Sequence, residues 1–247
     1  MNITDELIQC IKEGKPITFA KFGDGEYMCA SGVQGKNCDG TPYDANLAQG
    51  LKTGIKLINT MGGYCGLWDE LHIKHFWEDI VGGEVNWAHY HSVIVDRHDW
   101  QKKIELYKTI QESKLNKIFV RNDLLQKIDL LLGAKGVEIG RRMWYRESYE
   151  RVKKEIKEKM EEGINIVMTS GGMGTKVLIG ELMLEREGIY IDIGSGLDLI
   201  GTKRDSRGYM KYEEMEGYFK EILPKTWEDE KYNELYKEAQ QELGIHL

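Results

Sequence analysis

Proline is scarce in this sequence, with three residues in 247. That excludes Pro-rich linkers and polyproline stalks, and no repeat or low-complexity segment stands out. Cysteine is scarce too. Its four residues, Cys10, Cys29, Cys38 and Cys65, show no C-x-x-C spacing. They read as reduced thiols, mostly core, and exclude a disulfide framework. Long apolar runs are missing, so no segment has the length of a membrane span. A basic excess is missing as well. Lys and Arg number 34 against 41 Asp and Glu, for a formal charge of −7. A general affinity for nucleic-acid phosphates is therefore unsupported. The stretches "KKIELYK" and "RVKKEIKEK" are locally basic, but the second is interleaved with Glu and reads as a solvated helix face. The start does not read as a basic-then-apolar signal peptide. The opening "MNITDELIQCIKEG" carries acids and reads as a helix, so the expected location is cytoplasmic.

What is present is a regular alternation. Hydrophobic residues make up 41%, a globular composition. Apolar runs of strand length occur at 17–22, 64–68, 91–95, 117–122, 136–140, 164–170 and 189–194. Helical periodicity occupies the intervals: a helix capped by Thr4 and ended by Gly14, then 44–61 capped by Asp44, 69–80, 100–113, a helix capped by Asn122, 147–162, and the segment after "GGMG". Strands alternating with helices imply βαβ units and a mostly parallel sheet flanked by helices. The expectation is α/β, one Rossmann-like domain over 1–247 with C-terminal helical segments near 210–222 and 227–243.

Ligands of such sheets bind beyond the carboxyl ends of the strands. The residues that follow strands carry the chemistry worth weighing. Asp24-Gly25-Glu26 follows the first apolar run. In extended backbone, residues two apart point the same way, so both carboxylates could reach one hard cation. Asp-Gly is equally a strong turn dipeptide. "SGGMGTK" (170–176) joins a strand to a helix, where glycines expose backbone N–H groups to an anion. It lacks Walker A spacing, and a tight turn explains it as well. "YIDIGSGLD" is similar to the first motif of S-adenosylmethionine-dependent methyltransferases, but Leu197-Asp198 replaces the third glycine. That motif also normally opens its fold, whereas here about 50 residues remain. The histidine pairs "HIKH" (72–75) and "HYH" (89–91) have no third partner at fixed spacing for zinc. "MWYRESY" (143–149) could stack on a sugar or base, or be core.

Three segments in this order, "FAKFGDGEY", "KIFVRNDLL" and "SGGMGTKVLIGELM…IYIDIGSGLD", resemble the GT-D type glycosyltransferases. That family was first defined as a domain of unknown function and is found in bacterial surface-glycan and adhesin glycosylation. The resemblance spans most of 15–200. It implies a Rossmann-like fold with an Asp-x-Glu motif whose metal holds the diphosphate of a nucleotide sugar. Asp24 and Glu26 would then bind Mn²⁺ or Mg²⁺. Gly23, Asn122, Ser170, Gly171, Gly172, Met173, Gly174, Lys176, Asp192 and Gly194 would surround the donor, with Asp192 on ribose or sugar hydroxyls. Arg121, Arg141 and Arg142 are further cations for phosphate. An inverting reaction needs a base, for which Asp69, Glu70 and His91 are candidates. The stretches "EIGRRMWYR" and "HIKHFWEDI" with "HYHSVIV" match nothing in the family. They are expected to build the acceptor site, with Trp68, His72, Trp87, His91, Arg97, Arg142, Trp144 and Tyr145 available. A glycan or glycolipid acceptor is the family default, and a modified nucleic-acid base is disfavoured by the acidic charge. The competing readings are a methyltransferase and a nucleotide-sugar-binding module without turnover.

Overall fold

The computed structural model describes residues 2–37, 40–68, 70–90, 93–94 and 100–202. Helix α1 (Ile3–Glu13) is capped by Asn2 and not by Thr4, because the Asn2 side chain accepts the Thr4 N–H at 3.1 Å. Gly14 closes it in the left-handed region, as expected. There follow β1 (Ile17–Lys21), α2 (Asp24–Ala30), α3 (Ala45–Thr60), β2 (Tyr64–Gly66), α4 (Leu71–Val81) and β3 (Trp87–Ala88). The second half holds α5 (Trp100–Glu112), β4 (Asn116–Arg121), a 3-10 turn (Asp123–Leu125), α6 (Gln126–Leu132), β5 (Lys135–Glu138), α7 (Trp144–Glu147) and α8 (Tyr149–Lys159). It ends with β6 (Asn165–Ser170), α9 (Gly174–Glu185), β7 (Ile189–Asp192) and α10 (Asp198–Thr202).

The seven strands form one sheet in the order β3-β2-β1-β7-β6-β4-β5, and every neighbouring pair is parallel. Both faces are covered, which is why the central strands β1, β6 and β7 are buried at every position. One core packs α1, α5, α6 and α10 on one face, around Leu7, Leu106, Tyr107, Ile128 and Leu199. The other packs α2, α3, α4, α8 and α9 on the opposite face, around Leu51, Ile55, Trp77, Ile156 and Leu178. Steps toward β3 use the α3 side, and steps toward β5 use the α5 side. A single crossover handedness therefore governs every connection, as a right-handed rule requires.

Three further expectations need correction. Within the strand placed at 91–95, the described residues Val93 and Ile94 form a turn, with both N–H groups on the Tyr90 carbonyl at 3.2 and 3.0 Å. The Tyr107 hydroxyl and the Lys103 ammonium then donate to the Val93 and Ile94 carbonyls. Trp87–Ala88 takes the edge position instead, and the rest of 91–95 lies outside the described residues. The helix expected over 147–162 divides at Ser148 into α7 and α8. Asp24-Gly25-Glu26 is not extended but opens α2. The C-terminal helices at 210–222 and 227–243 lie outside the described residues. Among the described residues, no helix is long and apolar enough to cross a membrane.

Candidate active site

The connections leaving β1 and β7 depart to opposite faces of the sheet, as do those leaving β4 and β6. Crevices open at such reversals, beyond the carboxyl ends of the strands. A cleft of about 400 Å³ lies there. It is lined by Lys21 from β1, Asp24, Gly25 and Glu26 from α2, Asn122 after β4, Ile139, Gly140 and Arg141 after β5, Ser170 at the end of β6 with Gly171 and Gly172 after it, and Gly194, Ser195 and Asp198 after β7. Strand register sets this level. Arg121 pairs with Ser170, and Thr169 pairs with Asp192, so the ends of β4, β6 and β7 arrive together.

A buried ionic cluster forms the floor. Lys176, in the first turn of α9, is 3% exposed, and Asp192, the last residue of β7, is 0% exposed. The Lys176 Nζ stands 2.9 Å from Asp192 Oδ2 and 3.3 Å from Glu26 Oε1, and donates to the Gly172 carbonyl at 2.9 Å. Asp192 also accepts the Lys21 N–H at Oδ2 and the Gly194 N–H at Oδ1, each at 3.1 Å. Glu26 turns back to accept the Gly23 N–H at 3.0 Å, which caps α2. Lys21 Nζ lies 4.0 Å from Glu26 Oε2 and 5.2 Å from the centre of the Tyr90 ring. Burial alone would push the Glu26 carboxyl up, but the Lys176 and Lys21 ammoniums outweigh it and hold it below its ordinary value. Burial pulls Lys176 down, and Asp192 and Glu26 more than reverse this.

The glycine turn is built for close approach. Gly172 has φ +65°, the left-handed region, and presents its carbonyl to the Thr175 hydroxyl at 2.7 Å as well as to Lys176. The Trp144 indole N–H donates to the Gly171 carbonyl at 2.8 Å. Trp144 is 5% exposed and is thus a prop for this turn and part of the cleft wall. The Ser170 hydroxyl donates to the Gly194 carbonyl at 2.7 Å, tying the ends of β6 and β7.

Of the residues singled out in the sequence, Asp24, Glu26, Asn122, Ser170, Gly171, Gly172, Lys176 and Gly194 line this one cleft. Asp24 is exposed, and among the described residues no hydrogen bond or ion pair engages it. Gly23 and Gly174 stand beside the lining, and Met173 is buried in the core. Asp192 lies beneath the cleft, 0% exposed, with both carboxylate oxygens bonded inside the protein. Arg121 does not line the cleft: its guanidinium is 5% exposed and paired with Asp129 and Glu138. Arg141 does line it and is joined to Asp123 by two bonds, at 2.7 and 2.5 Å. Arg142 is exposed outside it, and Glu70 precedes α4 away from the lining. Asp69, His91 and Arg97 lie outside the described residues. His72 is exposed and meets Tyr27 edge to face at 5.6 Å. No group of three His, Cys, Asp or Glu side chains able to hold a metal occurs among the described residues. Lys21 and Asp198 escaped the sequence reading. The available signal for Lys21 was a lone charge inside the apolar run "ITFAKF".

No protein-family model matches the chain, and no curated protein matches it. Solved structures do. One, described as a new glycosyltransferase (DUF1792) from Streptococcus sanguinis, superposes with a TM-score of 0.58 at 18% identity, covering 81% of this chain and 83% of that one. A second, described as the highly conserved domain of unknown function 1792 with a distinct glycosyltransferase fold, gives 0.55 at 17% identity, covering 80% and 79%. The chain therefore has the fold of those proteins.

Proposed function

We propose that this chain is a glycosyltransferase that moves a sugar from a nucleoside-diphosphate sugar to an acceptor hydroxyl, with Mn²⁺ or Mg²⁺ at Asp24 and Glu26. The observation that carries the reading is the convergence of Asp24, Glu26 and the Gly171-Gly172 turn on one cleft at the strand ends, in a fold shared with proteins described as glycosyltransferases.

The donor set suits a hard cation, since it is all oxygen. Asp24 is unengaged at the cleft. Glu26 has spent one oxygen on the Gly23 N–H and turns the other toward Lys176. A carboxylate oxygen has two lone-pair sites, so Glu26 retains capacity to share. Mg²⁺ and Mn²⁺ commonly take one or two carboxylates and leave their other positions to phosphate oxygens and water. When bound, such a cation neutralises the charge that grows on a departing nucleoside diphosphate. The chain's own residues position and enclose. The glycine turn lets backbone approach the donor, Trp144 holds that turn, and Asn122 and Arg141 stand at the opposite wall. A glycan or glycolipid acceptor suits the acidic chain better than a nucleic-acid base.

A methyltransferase remains the contrasting enzyme class, because Gly194 and Ser195 of "IDIGSGLD" line the same cleft. Against it, this segment follows the last strand among the described residues instead of the first. The test is turnover of a panel of labelled nucleoside-diphosphate sugars, beside labelled S-adenosylmethionine. Donor hydrolysis or transfer should stop on chelation and return with Mn²⁺. Binding of S-adenosylmethionine with no turnover of any nucleotide sugar would reverse the assignment.

A further inference from the structure

We infer that Lys21 is a phosphate-binding residue of this cleft, the fixed cation that grips the anionic part of the ligand directly. The inference deepens the reading above and rests on it for the identity of the anion, a nucleoside diphosphate. The anion site itself follows from the geometry.

An ammonium carries three N–H donors. Lys176 spends its donors inside the protein, on Asp192 Oδ2, Glu26 Oε1 and the Gly172 carbonyl. It is saturated and has none left for a substrate. Lys21 differs. Its side chain is 10% exposed, yet its nearest carboxylate oxygen, on Glu26, is 4.0 Å away. That attracts the charge but is too long for a hydrogen bond. The Tyr90 face at 5.2 Å likewise favours a cation without accepting a proton. Among the described residues, no acceptor lies within hydrogen-bond distance of Lys21 Nζ. The side chain is nine-tenths buried, so the ammonium takes its acceptors from whatever occupies the cleft, water or an anionic ligand. Lys21 lines the cleft, facing the same space as Asp24, Ser170 and Gly172.

The surrounding chain holds it there. The Lys21 backbone N–H is bonded to buried Asp192, which fixes the root of the side chain. A Cβ at Gly23 would lie 2.7 Å from Lys21 Nζ, so glycine keeps that space clear. Phosphate oxygens would complete the missing bonds, and charge-assisted bonds of this kind are about twice as strong as neutral ones.

The experiment is calorimetric titration with inorganic pyrophosphate, at low ionic strength and without divalent cations. It compares wild type with Lys21→Met and Lys154→Met. Lys154 is a distant control whose side chain is 78% exposed. Methionine keeps the apolar stem over Tyr90, and a melting curve confirms the fold. If Lys21→Met does not fold, Lys21→Gln carries the test. Lys21→Met should weaken pyrophosphate about tenfold or more, while Lys154→Met binds as wild type does. Binding by Lys21→Met within twofold of wild type would overturn the inference. So would an equal loss in Lys154→Met, or no binding by wild type at millimolar pyrophosphate. If no nucleotide sugar turns over but pyrophosphate binding still depends on Lys21, the anion site stands and the glycosyltransferase reading falls. If Lys21→Met transfers sugar with unaltered kcat and donor KM, the anion site falls and the reading stands.

Discussion

Asp24 and Glu26 are two residues apart and do different work. On a helix, such a pair is separated by about 200° around the axis, so backbone geometry does not aim them at one point. Asp24 is exposed and unengaged, so Asp24→Asn should abolish metal-dependent turnover while leaving the urea midpoint unchanged. Glu26 is buried between Lys176, Lys21 and the Gly23 N–H. Glu26→Gln should lose activity and also about 1–3 kcal/mol of stability, read from urea unfolding. Equal stability losses in the two variants would contradict this division. The pH dependence has a definite sign. The Glu26 carboxyl is held below its ordinary value of 4.5 in the folded chain. Its contribution is therefore present above that value and is lost as pH falls from there through the folded value. Lys176 is raised above its ordinary 10.5, so its contribution is present below that value and is lost as pH rises beyond it. Glu26→Gln should flatten the acid limb of the stability profile below pH 4.5, measured as Tm against pH. An acid limb unchanged in the variant would mean the buried cluster contributes nothing there.

Helix α9 carries Lys176 and the glycine turn, and it is placed by an unusually close crossing. A Cβ at Gly54 on α3 would lie 3.1 Å from the Lys176 carbonyl, and one at Gly180 on α9 would lie 3.1 Å from the Gly54 carbonyl. Backbone meets backbone, and neither can yield as a side-chain tip could. Gly180→Val should therefore push the helices apart and cost about 1–3 kcal/mol. Because it shifts Lys176 relative to Asp192 and Glu26, donor KM should rise too. A folded variant with unchanged KM would separate the crossing from the site. These helices were readable from their apolar period, since Leu47, Leu51, Ile55 and Ile58 line one buried face. The crossing was not, because glycine inside a helix looks only like a weak helix former. The short α2 was hidden for a related reason: "GDGEY" carries turn chemistry, and only Glu26 folding back on the Gly23 N–H turns it into a helix start. Trp144 was expected at the acceptor. Its bond to the Gly171 carbonyl makes it a prop of the glycine turn, a contact between residues 27 apart that no local pattern announces. Trp144→Phe keeps the ring and deletes the bond. Donor hydrolysis and transfer should fall together, and a loss confined to transfer would restore the acceptor role.

At the scale of the molecule, alternation of strand and helix pointed to a mostly parallel sheet, because parallel neighbours need long crossovers, and every pair in the sheet is parallel. Strand order was not written in any one segment. It emerges from which helices share a face, and so the adjacency of β1, β7, β6 and β4 appears only in the folded chain. That adjacency makes the cleft a meeting of loops distant in sequence, near residues 24, 122, 171 and 194. A donor that touches several of these loops binds the folded chain and not the unfolded one, so it must stabilise by mass action. At a hundredfold excess over Kd, the gain is about 2.7 kcal/mol. For a chain of this size, that is a rise in Tm of about 5–10 °C. The matching nucleoside-diphosphate sugar with Mn²⁺ should give this shift, and S-adenosylmethionine should give none. Asp24→Asn should keep the metal-free part of the shift and lose the increment added by Mn²⁺, since its fold is untouched. A full Mn²⁺ increment in Asp24→Asn would place the cation elsewhere and remove Asp24 from the donor site.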